Sequence, residues 1–245
     1  RYLRLLEIIP APDTKQEVID FLMLYGDKYL GKTTVLCKDT PAFIANRVGV
    51  FGFMAVFHAM QQLGMSVDEI DLLTGTVMGR PKSATFRTGD VVGLDTLVHV
   101  ARALPENAPN DEAKDIFKMP PFLEKMLENK WLGDKTGQGF YKKVKGEKGK
   151  SEILTLNLDT MEYGPKQKSK FATIETAKPI DDLNQRLKAL YAGQDKAGEF
   201  YKLFHHMLFA YASNRIPEIA DELYKIDDAL KAGFGWEIGA FESWD

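Results

Sequence analysis

The chain has 245 residues, 44% of them hydrophobic and 27% charged, with a formal net charge of −3. That balance is ordinary for a globular protein with one large or two modest cores, and it gives no electrostatic footprint for nucleic acid or an anionic membrane. The single cysteine, Cys37, excludes an intramolecular disulfide and fits a reducing, cytoplasmic compartment, while no uninterrupted apolar run reaches membrane length.

In chain order, residues 3–9 read as a buried strand, because Leu6 and Ile8 break a strict alternation. Residues 15–30 have helical spacing at Val18, Phe21, Leu22 and Tyr25 behind a cap at Asp13 or Thr14, and residues 33–37 are a short β-prone run. The longest element is predicted at 41–63. Asp39 or Thr40 would cap its first amides, Pro41 suits the first helical position, and Gly64 ends it. Asn46 interrupts this apolar helix on the face of Ala42, Phe43, Gly49 and Val50, where a buried amide must find partners. It reads either as a core Asn bonded to a neighbouring carbonyl or as a fixed donor and acceptor for a substrate. Ser66–Glu69 is a capping box opening a helix through Thr76. Residues 79–89 read as an irregular loop, Gly93-Leu94-Asp95 opens a helix toward Leu104, and residues 121–128 form a short helix.

The lysine-rich run at 142–150 changes the composition sharply and marks a candidate boundary. Beyond it, residues 153–156 and 161–163 flank residues 157–160 as a small β-hairpin. Helical patterning returns at 180–191 and again at 195–213, where Phe200, Leu203, Phe204, Met207, Leu208 and Tyr211 line an apolar stripe; the last helices are predicted at 216–224 and 227–232. An internal echo runs at an offset of 156: Ile70-Asp71 matches Ile226-Asp227, Gly79 matches Gly235, and Ala84 matches Ala240. With one residue deleted, Phe86 matches Phe241 and Asp90 matches Asp245. The period is too long for a solenoid and points to a duplicated helical domain in which Lys202 replaces Asn46. The expected architecture is therefore an all-α, duplicated helical bundle with a small hairpin between the copies: residues 1–145, a linker at 146–179, and a degenerate second copy at 180–245. The apolar helices of the first copy need cover, either from a two-fold partner or from the second copy. The four histidines, His58, His99, His205 and His206, have no neighbours at metal-ligand spacing, so no metal site is expected.

Three segments carry a resemblance. Residues 39–47 (Asp-Thr-Pro-Ala-Phe-Ile-Ala-Asn-Arg), Val92-Gly93-Leu94-Asp95-Thr96, and Leu132-Gly133-Asp134-Lys135-Thr136-Gly137-Gln138-Gly139-Phe140-Tyr141 resemble, in this order, the C-terminal helical domain of the 3-hydroxyacyl-coenzyme A dehydrogenases of fatty-acid β-oxidation. The resemblance implies oxidation of a (3S)-hydroxyacyl-CoA to the 3-ketoacyl-CoA with NAD. It places on Glu7 the carboxylate that pairs with a catalytic histidine, on Asn46 the contact to the substrate's oxygen, and on Lys135 a contact to the cofactor. Read without it, Glu7 could face solvent from an edge strand and Lys135 could be a surface lysine. The family's glycine-rich turn is not found in this sequence, so NAD binding is expected from an N-terminal Rossmann domain and this chain alone is expected to be inactive. The loop at 79–87 resembles that of the larger multifunctional forms, which implies a possible C-terminal enoyl-CoA hydratase domain. A helical domain of another hydroxy-acid dehydrogenase and a non-catalytic, crystallin-like structural protein are the alternatives.

Overall fold

The structure, a computed structural model, describes residues 3–146 and 150–244. Glu147, Lys148 and Gly149 of the lysine run and Asp245, the match of Asp90, lie outside the described residues. Helices dominate, but the all-α expectation needs correcting, because two small sheets are built into the fold.

The first sheet is a βαβ unit. Strands β1 (Leu5–Ile8) and β2 (Thr33–Leu36) pair in parallel, Leu5 beside Thr33 and Ile8 beside Leu36, and helix α1 (Gln16–Lys28) is the crossover that parallel pairing requires. A parallel pair is normally covered on both faces. Here α1 leaves Phe21, Leu24 and Tyr29 exposed, with Phe21, Tyr25 and Tyr29 stacked along it at 5.6 and 5.5 Å.

Helix α2 (Ala45–Leu63) forms the centre of the core. It starts four residues later than the sequence predicts: residues 41–44 are a turn, in which Ala42 and Phe43 take left-handed φ values of 63° and 51°. The cap comes from a distant strand. Glu7 Oε1 accepts the amides of Ile44 and Ala45 at 3.0 and 2.9 Å, the groups a helix start leaves without intrahelical partners. Gly64, with φ 57° and ψ 49°, ends the helix in the left-handed conformation.

Helix α3 (Val67–Leu73) begins with the predicted capping box, and α4 (Phe86–Val92) occupies part of the segment read as a loop. Helices α5 (Leu94–Asn107) and α6 (Pro121–Glu128) stand where the patterning puts them. The packing of α4 and α6 on α2 centres on Phe57, Phe86, Phe122 and Phe140, whose ring centroids lie 4.5–6.3 Å apart. The second sheet is antiparallel, with β3 (Tyr141–Lys145), β4 (Ser151–Leu156) and β5 (Tyr163–Pro165) in that order. The expected hairpin is β4–β5. The lysine run begins as β3, its Val144 half-buried between exposed Lys143 and Lys145.

Helices α7 (Ala172–Ala177) and α8 (Leu183–Tyr191) lead into α9 (Lys196–Asn214), which lies along α2 and stacks Tyr211 on Phe51 at 3.8 Å. Cover for the apolar helix thus comes from within the chain. Helix α10 (Leu223–Phe234) crosses α2 at Gly49, where a Cβ would run into the Phe234 ring. The helix predicted at 216–224 is absent. Residues 215–219 form a turn instead, because Arg215 and Glu218 join a buried charge cluster. At its centre Arg47, 0% exposed, donates to Tyr211 at 2.7 Å, Asp111 at 2.8 Å and Glu218 at 3.0 Å.

The internal echo has a geometric counterpart. The Asp71 carboxylate accepts the amides of Phe86 and Arg87 at 2.7 and 3.1 Å. Asp227 accepts those of Phe241 and Glu242 at 2.9 and 3.0 Å. Gly79 and Gly235, both left-handed at φ 71° and 68°, face each other through the residues that follow them. A Cβ on Gly79 would stand 3.4 Å from Glu237 Cβ, and one on Gly235 would stand 3.3 Å from Pro81 Cγ. Between them the Arg80 guanidinium lies 3.9 Å from the centroid of the Trp236 ring. Each of these pairs exchanges under the offset of 156, so a local two-fold relation passes between Arg80 and Trp236. No helix among the described residues is long and apolar enough to cross a membrane.

Candidate functional site

The start of α2 is the point where the sequence motif and the structure converge. Strand β1 carries Glu7 half-buried beneath the helix start. The positive end of the helix dipole favours a carboxylate there. Glu7 therefore does not point to solvent from an edge strand. Only its Oε1 oxygen takes part in these bonds, with Cys37 Sγ a weaker contact at 3.7 Å, and Oε2 has no hydrogen-bond partner among the described residues. Burial and the Glu7 charge push the Cys37 thiol up to about 12, so it remains a thiol and packs as a small hydrophobe.

Asn46 is exposed, not buried, and its amide makes no hydrogen bond within the described chain. The reason is the delayed helix start. With α2 beginning at Ala45, Asn46 lies in its first turn and opens into a groove, while its neighbour Arg47 is the polar group that turns into the core. The groove has a volume of about 490 Å³ and runs between the left-handed turn at Ala42 and Phe43 and one face of α5, which contributes His99 and Ala103. Left-handed residues other than glycine are strained and cluster where a backbone must present a side chain.

Lys135 does not line that groove. It sits in a glycine-flanked turn, half-exposed, with its ammonium on the Asp95 carboxylate, which that contact holds below the usual carboxylate range. Asp95 and His99 are one turn apart on α5, so Lys135 reaches the same helix a turn before the groove. Glu7 and Asn46 are thus brought together and Lys135 stands to one side. From the sequence, His99 is weighed only as a metal ligand and Ala42 and Phe43 are placed inside the helix. The four-residue spacing from Asp95 to His99 was the available signal for the first, and nothing in the sequence signalled the second. No cluster of histidine, cysteine and carboxylate side chains able to hold a metal ion occurs among the described residues.

Comparison with known proteins finds relatives among the 3-hydroxyacyl-CoA dehydrogenases. The family model of the 3-hydroxyacyl-CoA dehydrogenase C-terminal domain matches residues 43–143, from the left-handed turn to strand β3. A probable 3-hydroxyacyl-CoA dehydrogenase of Bacillus subtilis is 46% identical over all 245 residues, and the chain covers 30% of that protein. A putative fatty acid oxidation complex trifunctional enzyme of Rickettsia prowazekii is 29% identical over 243 residues, 99% of this chain and 32% of that protein. The chain therefore spans about a third of the length of these two relatives. Among solved structures, 3-hydroxybutyryl-CoA dehydrogenase from Escherichia coli K12 superposes with a TM-score of 0.61 over 99% of this chain and 60% of that chain, at 18% identity, a likeness of fold. Residues 43–143 are accordingly a 3-hydroxyacyl-CoA dehydrogenase C-terminal domain, and the chain carries this domain region of the 3-hydroxyacyl-CoA dehydrogenase family.

Proposed function

We propose that this chain is the substrate-binding region of an enzyme that oxidises a (3S)-hydroxyacyl-CoA to the 3-ketoacyl-CoA with NAD in fatty-acid β-oxidation. The observation that carries the reading is the Glu7–α2 junction: one carboxylate oxygen is fixed by two backbone amides, the other has no hydrogen-bond partner among the described residues, and the next exposed side chain is Asn46 in an open groove. A carboxylate so held can accept the N–H of an imidazole, set its tautomer and stabilise the imidazolium formed when the ring takes the hydroxyl proton. Asn46 can donate from its amide to the substrate's 3-oxygen or thioester carbonyl as charge develops there. The histidine and the cofactor would come from a preceding Rossmann domain. The sequence after β1 supports this division, since it reads Pro10-Ala11-Pro12 without glycine, and Lys135 pairs with Asp95. Lys135 is at most a rim contact to the cofactor.

The open parallel pair β1–β2 and the apolar face of α1 support a preceding sheet domain that continues this one. The matching aspartate bonds and glycine turns support a duplication, with residues 1–145 as the working copy, 146–179 as a linker and 180–245 as a structural copy. The trifunctional name of the Rickettsia relative supports further activities in the complete protein, and the loop at 79–87 suggests an enoyl-CoA hydratase domain as one of them. The buried, unpaired Cys37 suits the cytoplasm. The test is reduction of NAD by 3-hydroxyacyl-CoA, measured on this chain and on the chain joined to its preceding domain. Activity should require the joined form, and turnover by this chain alone would refute the assignment.

A further inference from the structure

A second cleft, of about 1270 Å³, opens between the β3–β4–β5 sheet, α3, and helices α7 and α8, and it shares no residue with the Asn46 groove. Its charge is unusual in a chain of net charge −3. Lys82, Lys143, Lys166, Lys168 and Lys170 all line it, exposed, and none has an ion pair or side-chain hydrogen bond among the described residues. Arg186 adds a sixth cation bonded only to backbone carbonyls, those of Val77 at 2.8 Å and of Ile180 and Asp181. The acidic residues of the cleft other than the exposed Glu237 are already engaged, Glu175 with Lys178. Asp71 accepts the Tyr141 hydroxyl at 2.7 Å besides its amide bonds, Asp68 accepts the Thr155 hydroxyl and the Gln167 amide at 2.9 and 2.8 Å, and Asp134 pairs with Arg87.

The lysines are also held in place. In the extended segment 166–170, Gln167 and Ser169 are tied to Asp68 and Glu69 at the start of α3, which leaves Lys166, Lys168 and Lys170 at the alternate positions. Beside them Ile153 is 59% exposed and Leu72 and Val77 add apolar surface. Uncompensated cations from several walls, with an apolar patch between them, suit a ligand bearing several phosphates on a flat or apolar body.

We propose that this cleft binds a polyphosphorylated nucleotide. The same chemistry is offered by a free nucleoside triphosphate and by the nucleotide end of coenzyme A. The volume exceeds what a single phosphate fills, and the apolar wall gives a base somewhere to lie.

Calorimetric titration of this chain with inorganic tripolyphosphate, ATP and coenzyme A at low salt tests this. At least one of the two nucleotides should bind at one site and more tightly than tripolyphosphate, with affinity falling as salt rises. The variant Lys166→Glu/Lys168→Glu/Lys170→Glu should lose at least about tenfold in affinity, and Lys82→Glu on the opposite wall should weaken binding as well. None of these side chains has a partner to lose, so the melting curves should stay unchanged. Asn46→Ala should leave the binding intact, which separates this cleft from the proposed substrate groove. Tighter binding of coenzyme A than ATP would identify the ligand as the substrate's own nucleotide, and the reverse would identify a free nucleotide. Absence of binding by both nucleotides, or equal binding by the triple variant, would overturn the proposal.

Discussion

Glu7 and Ala45, thirty-eight positions apart, are joined by a 2.9 Å hydrogen bond from the Ala45 amide to the Glu7 carboxylate. That bond ties the strand of the parallel pair to the helix that carries Asn46. Glu7→Ala should remove the cap and cost about 1–2 kcal/mol, a fall in melting temperature of about 2–8 °C for a chain of this size. Glu7→Gln keeps an acceptor oxygen and should melt within about 2 °C of the parent. In the complete enzyme it should lower turnover by at least about tenfold, since a neutral amide stabilises an imidazolium poorly. Thermal melts of the chain and steady-state rates of the complete enzyme separate the two effects.

Asn46→Ala should do the opposite of a core mutation. The side chain is exposed and unpartnered within the described chain, so stability should change by no more than about 0.5 kcal/mol. Turnover of the complete enzyme should fall by about 2–4 kcal/mol of transition-state stabilisation, roughly thirtyfold to a thousandfold. Lys202→Ala, at the equivalent position, removes a 2.9 Å bond to the Gly193 carbonyl and should leave turnover unchanged. Equal loss of turnover in both variants would refute the division into a working and a structural copy.

Asp111 is 5% exposed and receives Arg47, Arg215 and the Tyr211 hydroxyl. Asp111→Ala would take the buried carboxylate away from Arg47 and Arg215, leaving them to Glu218 and Glu112 at the partly exposed edge, and should destabilise the chain by about 3 kcal/mol in urea denaturation. Replacing Arg47 and Asp111 together by apolar residues should cost less than the single change, because the two charges leave as a pair and Arg215 keeps Glu112 and Glu218.

His205 is buried and its imidazole is pushed down to about 4, first by burial, with the charges of Arg80 and His206 acting in the same direction. Below its ordinary value near 6.5 the unfolded chain takes up a proton that the folded chain refuses, so stability contributed by this residue is complete above about 6.5 and is lost as pH falls toward 4. The loss should approach about 3 kcal/mol. Replacing His205 by Phe should flatten the stability profile between those limits; an unchanged slope would show that other groups cause it.

Much of the fold was legible in local pattern. The Ser66–Glu69 capping box and the Gly64 stop depend on neighbours a few positions away and appear as read, while the hairpin read at 153–163 forms with its second strand moved to 163–165. The misread elements depend on distant partners. The start of α2 is moved four residues by a carboxylate from another strand, and the helix read at 216–224 yields to the charge cluster that Arg215 and Glu218 complete with Arg47 and Asp111. The site divides in the same way. Glu7 and Asn46 could be named from their motif, but whether the amide faced the core or the groove depended on the helix start, and so lay beyond the spacing rule.

The exchange between the two glycine turns is unequal. The Gly79 carbonyl accepts the Glu237 amide at 2.8 Å, whereas Pro81, which stands opposite Gly235, has no N–H to return the bond. A second molecule offering its own Gly79 turn in place of the Gly235 turn would bring a proline to both sides, and neither carbonyl would then find its amide. Chemistry at one imino acid thus makes the molecule's own second half the better fit and a pairing of two first halves the poorer one.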